Sequence, residues 1–151
     1  MVETDAQAED LIRSLTDAGF MVETVIEQEN AERLSTVRLI SRGDSEMFVD
    51  LLFASSGIES EVVASAEDIE IFPNLIVPVA TISSLIALKV LSGDNQRRLQ
   101  DIIDIQHLLV EASQRDIDEA RDLLDLITDR GFDRNKKLQA DLDRYIDQFK
   151  T

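Results

Sequence analysis

Apolar residues recur along this chain with two different periods, and the switch between them predicts its architecture. Over residues 4–18, Ala8, Leu11, Ile12 and Leu15 form one helical stripe, with Thr4 or Asp5 placed to cap it and Gly19 to end it. The period then drops to two. Phe20 to Glu27, Leu34 to Ser41 and Glu46 to Ala54 read as three neighbouring strands, joined by a polar turn at Glu29 to Glu32 and by Arg42-Gly43-Asp44. After a Ser55-Ser56-Gly57 break, Ile58 to Ala66 reads as a short helix. Two short extended pieces, Ile69 to Phe72 and Leu75 to Val79, flank a Pro73-Asn74 turn, and Pro78 suits a sheet edge or a strand end. From residue 81 the helical period returns, over about 82–92, 96–112, 115–130 and 134–149, with Gly131 closing the third of these helices. The pattern predicts an α+β fold in one domain: an α/β part over 1–80 and a helical part over 81–151 packed on it.

The first two late helices are apolar around most of their circumference, yet charges sit inside their apolar arcs. At about 100° per residue, Lys89 falls between Ile82 and Leu85, Arg98 between Ile105 and Leu109, and Asp101 between Leu108 and Ile105. A buried charge costs several kcal/mol unless it is paired or has a ligand. Lys89 either snorkels to water or sets a point charge against a nucleotide phosphate. Arg97 or Arg98 with Asp101 would also make an ordinary helix-surface bridge. Asp104 lies at the edge of the arc, and His107 on the polar flank reads as a solvated histidine.

Asp50 is the sharpest single residue. Phe48, Asp50 and Leu52 share one strand face and Val49, Leu51 and Phe53 the other, and two apolar faces predict an interior strand. A carboxylate there either caps a loop, pairs with an arginine, or is aimed at a divalent cation such as Mg²⁺. The acidic run Asp116, Asp118, Glu119, Asp122, Asp125 reads as a solvated helix face.

Charge and composition narrow the partners. The net charge is −16, and residues 1–80 carry 17 acids against 4 arginines. That balance excludes extended tracking of DNA, and leaves at most a short nucleic-acid end held by cations of the C-terminal half. The chain has no cysteine, no apolar stretch near the ~20 residues a membrane span needs, and no leader-like apolar run at its start. A soluble, cytoplasmic protein is expected.

Three stretches carry a family likeness. Val49-Asp50-Leu51-Leu52-Phe53-Ala54-Ser55-Ser56-Gly57-Ile58-Glu59, Ile86-Ala87-Leu88-Lys89-Val90-Leu91, and Arg98-x-x-Asp101-x-x-Asp104 resemble the AbiEii/AbiGii toxin-type nucleotidyltransferases. Glu27-Gln28-Glu29, Arg33 to Leu39 and Ile127-Thr128-Asp129-Arg130-Gly131-Phe132 extend the likeness over nearly the whole chain. The resemblance implies a nucleotidyltransferase-like mixed sheet with flanking helices and a C-terminal helical bundle. It also implies transfer of a nucleotide from an NTP to an RNA 3′ end or a protein hydroxyl, with Mg²⁺, in a protein with an antitoxin as partner. Asp50 matches a metal-holding catalytic carboxylate and Lys89 a helix lysine on the triphosphate. Asp101 matches the acid of the final motif, with Arg98 and Asp104 beside it as nucleotide-binding candidates.

The family's Gly-Gly…Asp-x-Asp opening has no match here, because the chain starts at the helix that follows it. Two expectations stand side by side. Either this is an N-terminally truncated form of an enzyme, or it is a catalytically incomplete relative serving as a binding, regulatory or self-associating module. An unpaired sheet edge would favour a homo-oligomer in the second case.

Overall fold

The computed structural model describes residues 5–28, 33–41, 47–53, 55–93 and 99–150, which group into two compact units, Met1–Ser55 and Ser56–Thr151. In the first, helix α1 (Asp5–Asp17) precedes strands β1 (Phe20–Gln28), β2 (Arg33–Ser41) and β3 (Phe48–Leu52), antiparallel in the order β1-β2-β3. The helix-to-strand reversal turns on Gly19, whose φ of 97° is open to a residue without Cβ. Val37, Leu39 and Phe53 are buried, and Ile12 and Leu15 of α1 pack against them with Phe20 and Leu51. Two residues of the predicted helical stripe, Ile12 and Leu15, thus pack on the predicted sheet, while Leu11 stays exposed.

One expectation for this unit fails. Asp50 was placed on an interior strand, but β3 pairs only with β2 among the described strands, and Phe48, Asp50 and Leu52 are all exposed. The apolar residues on that face are not core residues. Phe48 is not core; its ring lies 5.9 Å from the guanidinium of Arg38.

The second unit holds α2 (Glu59–Ala64), a hairpin of β4 (Glu67–Phe72) and β5 (Leu75–Val79), and helices α3 (Ile82–Ser92), α4 (Leu99–Glu111), α5 (Gln114–Asp129) and α6 (Leu138–Phe149). Helix α3 is its centre. Ile86, Ala87, Val90 and Leu91 are buried in one cluster with Ile105 and Leu109 of α4, Leu124 and Ile127 of α5, and Leu142 and Tyr145 of α6. A helix that is apolar most of the way round is stable only when neighbours surround it, and α3 touches all three. Thr81 Oγ1 accepts the Ser84 N–H to cap α3, and Ser113 and Asp116 make a reciprocal capping box on α5.

Helix α6 starts at Leu138, four residues later than the periodicity predicts. Arg134 and Asn135 take positive φ values of 56° and 59°, and the Asn135 N–H donates to Asp133 Oδ1 at 3.0 Å. Such a side-chain turn competes with helical hydrogen bonding and delays the helix. Residues 96–98, predicted as the first turn of α4, lie outside the described residues.

Candidate functional site

Lys89 stands on the last turn of α3, and Asp101 and Asp104, three apart, share a face at the start of α4. The Lys89 ammonium donates to Asp101 Oδ1 at 3.1 Å and to Asp104 Oδ2 at 2.7 Å. The side chains are 33%, 13% and 32% exposed respectively, so the pairs are screened far less than surface bridges. Burial pulls the Lys89 pKa down, but hydrogen bonds to Asp104 and Asp101 outweigh it and hold the pKa above its ordinary value. The ammonium therefore stays charged at neutral pH, at a point fixed by two helices. Asp101 Oδ2 is buried and accepts no hydrogen bond among the described residues. Among the described residues, one ammonium bridges the two carboxylates.

The structure thus brings together three of the sequence-predicted residues, Lys89, Asp101 and Asp104. Lys89 is neither simply snorkelling nor unpaired. Arg97 and Arg98, the remaining cations of that stretch, lie outside the described residues. His107 is exposed, as are Asp118, Asp122 and Asp125.

Asp50 belongs to the other unit and has a partner of its own. It sits opposite Arg38 on β2, and the guanidinium donates from Nε to Oδ1 and from Nη2 to Oδ2, both at 2.7 Å. This fork holds the Asp50 carboxyl below its usual range. Both oxygens are therefore engaged by a cation already. Among the described residues no group of three or more carboxylates or histidines gathers where a metal could be held. Among the described residues, Asp50 thus offers no oxygen free of Arg38 to face a Mg²⁺, which takes hard carboxylate oxygens.

A second polar cluster escaped the sequence reading. Arg130, at the end of α5, reaches back to the start of α2. Its Nη2 donates to Glu61 Oε1 at 2.7 Å, and its Nη1 to Glu61 Oε2 at 3.1 Å and to the Gly57 carbonyl. Phe132 closes over Gly57, whose φ is +78°; a Cβ built there would lie 2.6 Å from Phe132 Cδ2. The Ser56-Gly57-Ile58-Glu59 and Arg130-Gly131-Phe132 stretches, which carried the family likeness separately, are therefore one packed unit. Only their shared appearance in that likeness could have suggested the contact. Lys136 and Lys150 also went unnoticed. Lys136 Nζ donates to the Leu91 and Gly93 carbonyls at 2.7 and 2.5 Å, and Lys150 Nζ to those of Leu109 and Ala112. Each lysine answers carbonyls at the end of a helix, where cations are favoured, from more than thirty residues away.

Comparison with known proteins bears on the family. A model of the family described as nucleotidyl transferase AbiEii toxin, type IV toxin–antitoxin system, matches residues 1–150. No curated protein matches the chain. No helix among the described residues is long and apolar enough to cross a membrane. The match spans nearly every residue, including both polar clusters of the helical unit, and the chain belongs to the AbiEii nucleotidyl transferase toxin family.

Proposed function

We propose that the chain acts as the nucleotidyltransferase component of a toxin–antitoxin pair, moving a nucleotide from an NTP to an RNA 3′ end or a protein hydroxyl. An acceptor oxygen attacks the α-phosphorus, the bond to the β-phosphate breaks, pyrophosphate leaves, and a base takes the hydroxyl proton. The observation that carries the reading is the Lys89 ammonium, kept charged between Asp101 and Asp104, in a chain matched by this family from end to end. In this reading Lys89 is the cation beside the leaving phosphates, and Asp101 and Asp104 fix its position rather than touching substrate. Arg98 is the candidate for further phosphate contact. The antitoxin partner and a cytoplasmic location belong to the same proposal.

Incubating the chain with α-labelled NTPs, Mg²⁺, and RNA or protein acceptors tests it. Label should reach an acceptor, and Lys89→Ala should reduce transfer by about a hundredfold or more, the scale of losing a fixed charge at a transition state. A folded wild-type chain that transfers nothing would reject it.

One observation favours a second reading, that of a catalytically incomplete relative serving as a binding module. Asp50, matched to a metal carboxylate, is closed by Arg38 at both oxygens. Weak or absent Mg·NTP binding together with a tight macromolecular partner would select it.

A further inference from the structure

The β4–β5 hairpin is the least accounted-for element of the helical unit. Every residue of β4 is exposed, and Phe72 and Ile76 remain 67% and 63% accessible. Among the described strands the hairpin has no third strand, and an isolated two-stranded ribbon is marginal in water. Its two edges are not equivalent. Proline is tolerated in a strand only where its nitrogen faces away from the ladder, so Pro78 removes a donor from the outer edge of β5. The outer edge of β4 keeps its full row of donors and acceptors.

Charge identifies what that edge would take. Residues 67–79 carry Glu67, Asp68 and Glu70 and no base. The Glu70 carboxylate is turned to the hairpin's own Asn74 N–H at 2.8 Å, which leaves Glu67 and Asp68 at the open end of the strand. A second copy would set acid beside acid, in a chain whose net charge is already −16. A nucleic acid is repelled for the same reason. We infer that β4 is a docking edge for an extended, lysine- or arginine-rich protein segment, which adds as a third strand. Backbone hydrogen bonds would supply the adhesion, Ile69 and Phe72 the apolar contact, and Glu67 and Asp68 the selection for basic side chains. The inference concerns different residues from the proposed chemistry and stands whether or not nucleotide transfer is found.

The probe is an end-capped, fluorescent peptide of about ten residues, the length of a long strand, alternating lysine with valine or isoleucine. It should bind the full chain saturably, slow hydrogen exchange over 67–72, and lose affinity at high salt. The Glu67→Lys/Asp68→Lys chain should bind it at least about tenfold more weakly, with exchange in α3–α6 unchanged. The same peptide N-methylated at alternate residues should not bind. Equal binding by a peptide with glutamate for lysine, or by the charge-reversed chain, would overturn the inference. Self-association of the free chain that protects 67–72 would also overturn it, by giving the edge to a second copy.

Discussion

Lys89→Met is the most informative single change, because the two carboxylates it leaves behind decide the outcome. In a fully buried pair, removing one partner costs about 3–5 kcal/mol. In an exposed pair it costs about 0–1 kcal/mol. With Lys89 33% and Asp101 13% exposed, the group lies between these limits, and about 2 kcal/mol is expected. Methionine keeps most of the stem's packing, so the loss reports on charge. Asp101→Asn removes the more deeply buried of the two acids. The double variant should then lose less than the two singles together, by about 1–2 kcal/mol, because the more deeply buried carboxylate is no longer left without its cation. Urea unfolding of the four chains, followed by far-ultraviolet circular dichroism at neutral pH, measures this cycle. A coupling within about 0.5 kcal/mol of zero would refute the clamp.

The same clamp has a pH signature. Lys89 is raised above its ordinary 10.5 when folded, so its contribution is complete below the unfolded pKa and lost as pH rises through the folded one. Stability of the wild type should therefore fall towards that of Lys89→Met at strongly alkaline pH.

The Arg130–Glu61 fork acts at the other end of the scale. Its hydrogen bonds, with a smaller part from Ser60, lower the Glu61 pKa from 4.5 to about 2. Its contribution is present above 4.5 and lost as pH falls through about 2, so Glu61→Gln should flatten the acid unfolding curve in that window. Gly57→Ala should cost about 1–3 kcal/mol in urea, since its positive φ is strained for any residue with a Cβ and Phe132 must move aside. Arg38→Gln should leave the urea midpoint nearly unchanged, because its pair with Asp50 is solvent-exposed. A larger loss in the same titration would mean that this pair is shielded.

Most of the element order was legible because two periods, 2 and 3.6, alternate cleanly and glycines stand at the breaks. Gly19 and Gly131 both take the positive φ values that their places imply. What failed was burial. Phe48 and Leu52 look like core when strand alternation is the only guide, and only the pairing of β3 with β2 shows their face exposed and Asp50 held by Arg38. A cross-strand partner twelve residues away has no local signature. On α3 and α4 the reverse held, because a charge inside an apolar arc must find a partner. Helical geometry set Lys89 and Asp101 apart from the ordinary surface charges without saying that they would meet each other.

That meeting changes what a matched motif can mean. In the helical unit the residues carrying the family likeness resolve into two self-contained groups, Lys89 with Asp101 and Asp104, and Gly57 and Glu61 with Arg130 and Phe132. The second group is wholly occupied in joining α2 to the end of α5, so its presence is explained by the fold alone. The first is different in kind. Its ammonium is held charged between two helices, and one buried oxygen, Asp101 Oδ2, has no donor among the described residues. A surplus acceptor in a low-dielectric setting is a standing cost that a hydrophobic trio would avoid. That buried acceptor, beside an ammonium held charged by two helices, distinguishes this group from the Arg130–Glu61 fork, where both carboxylate oxygens have donors.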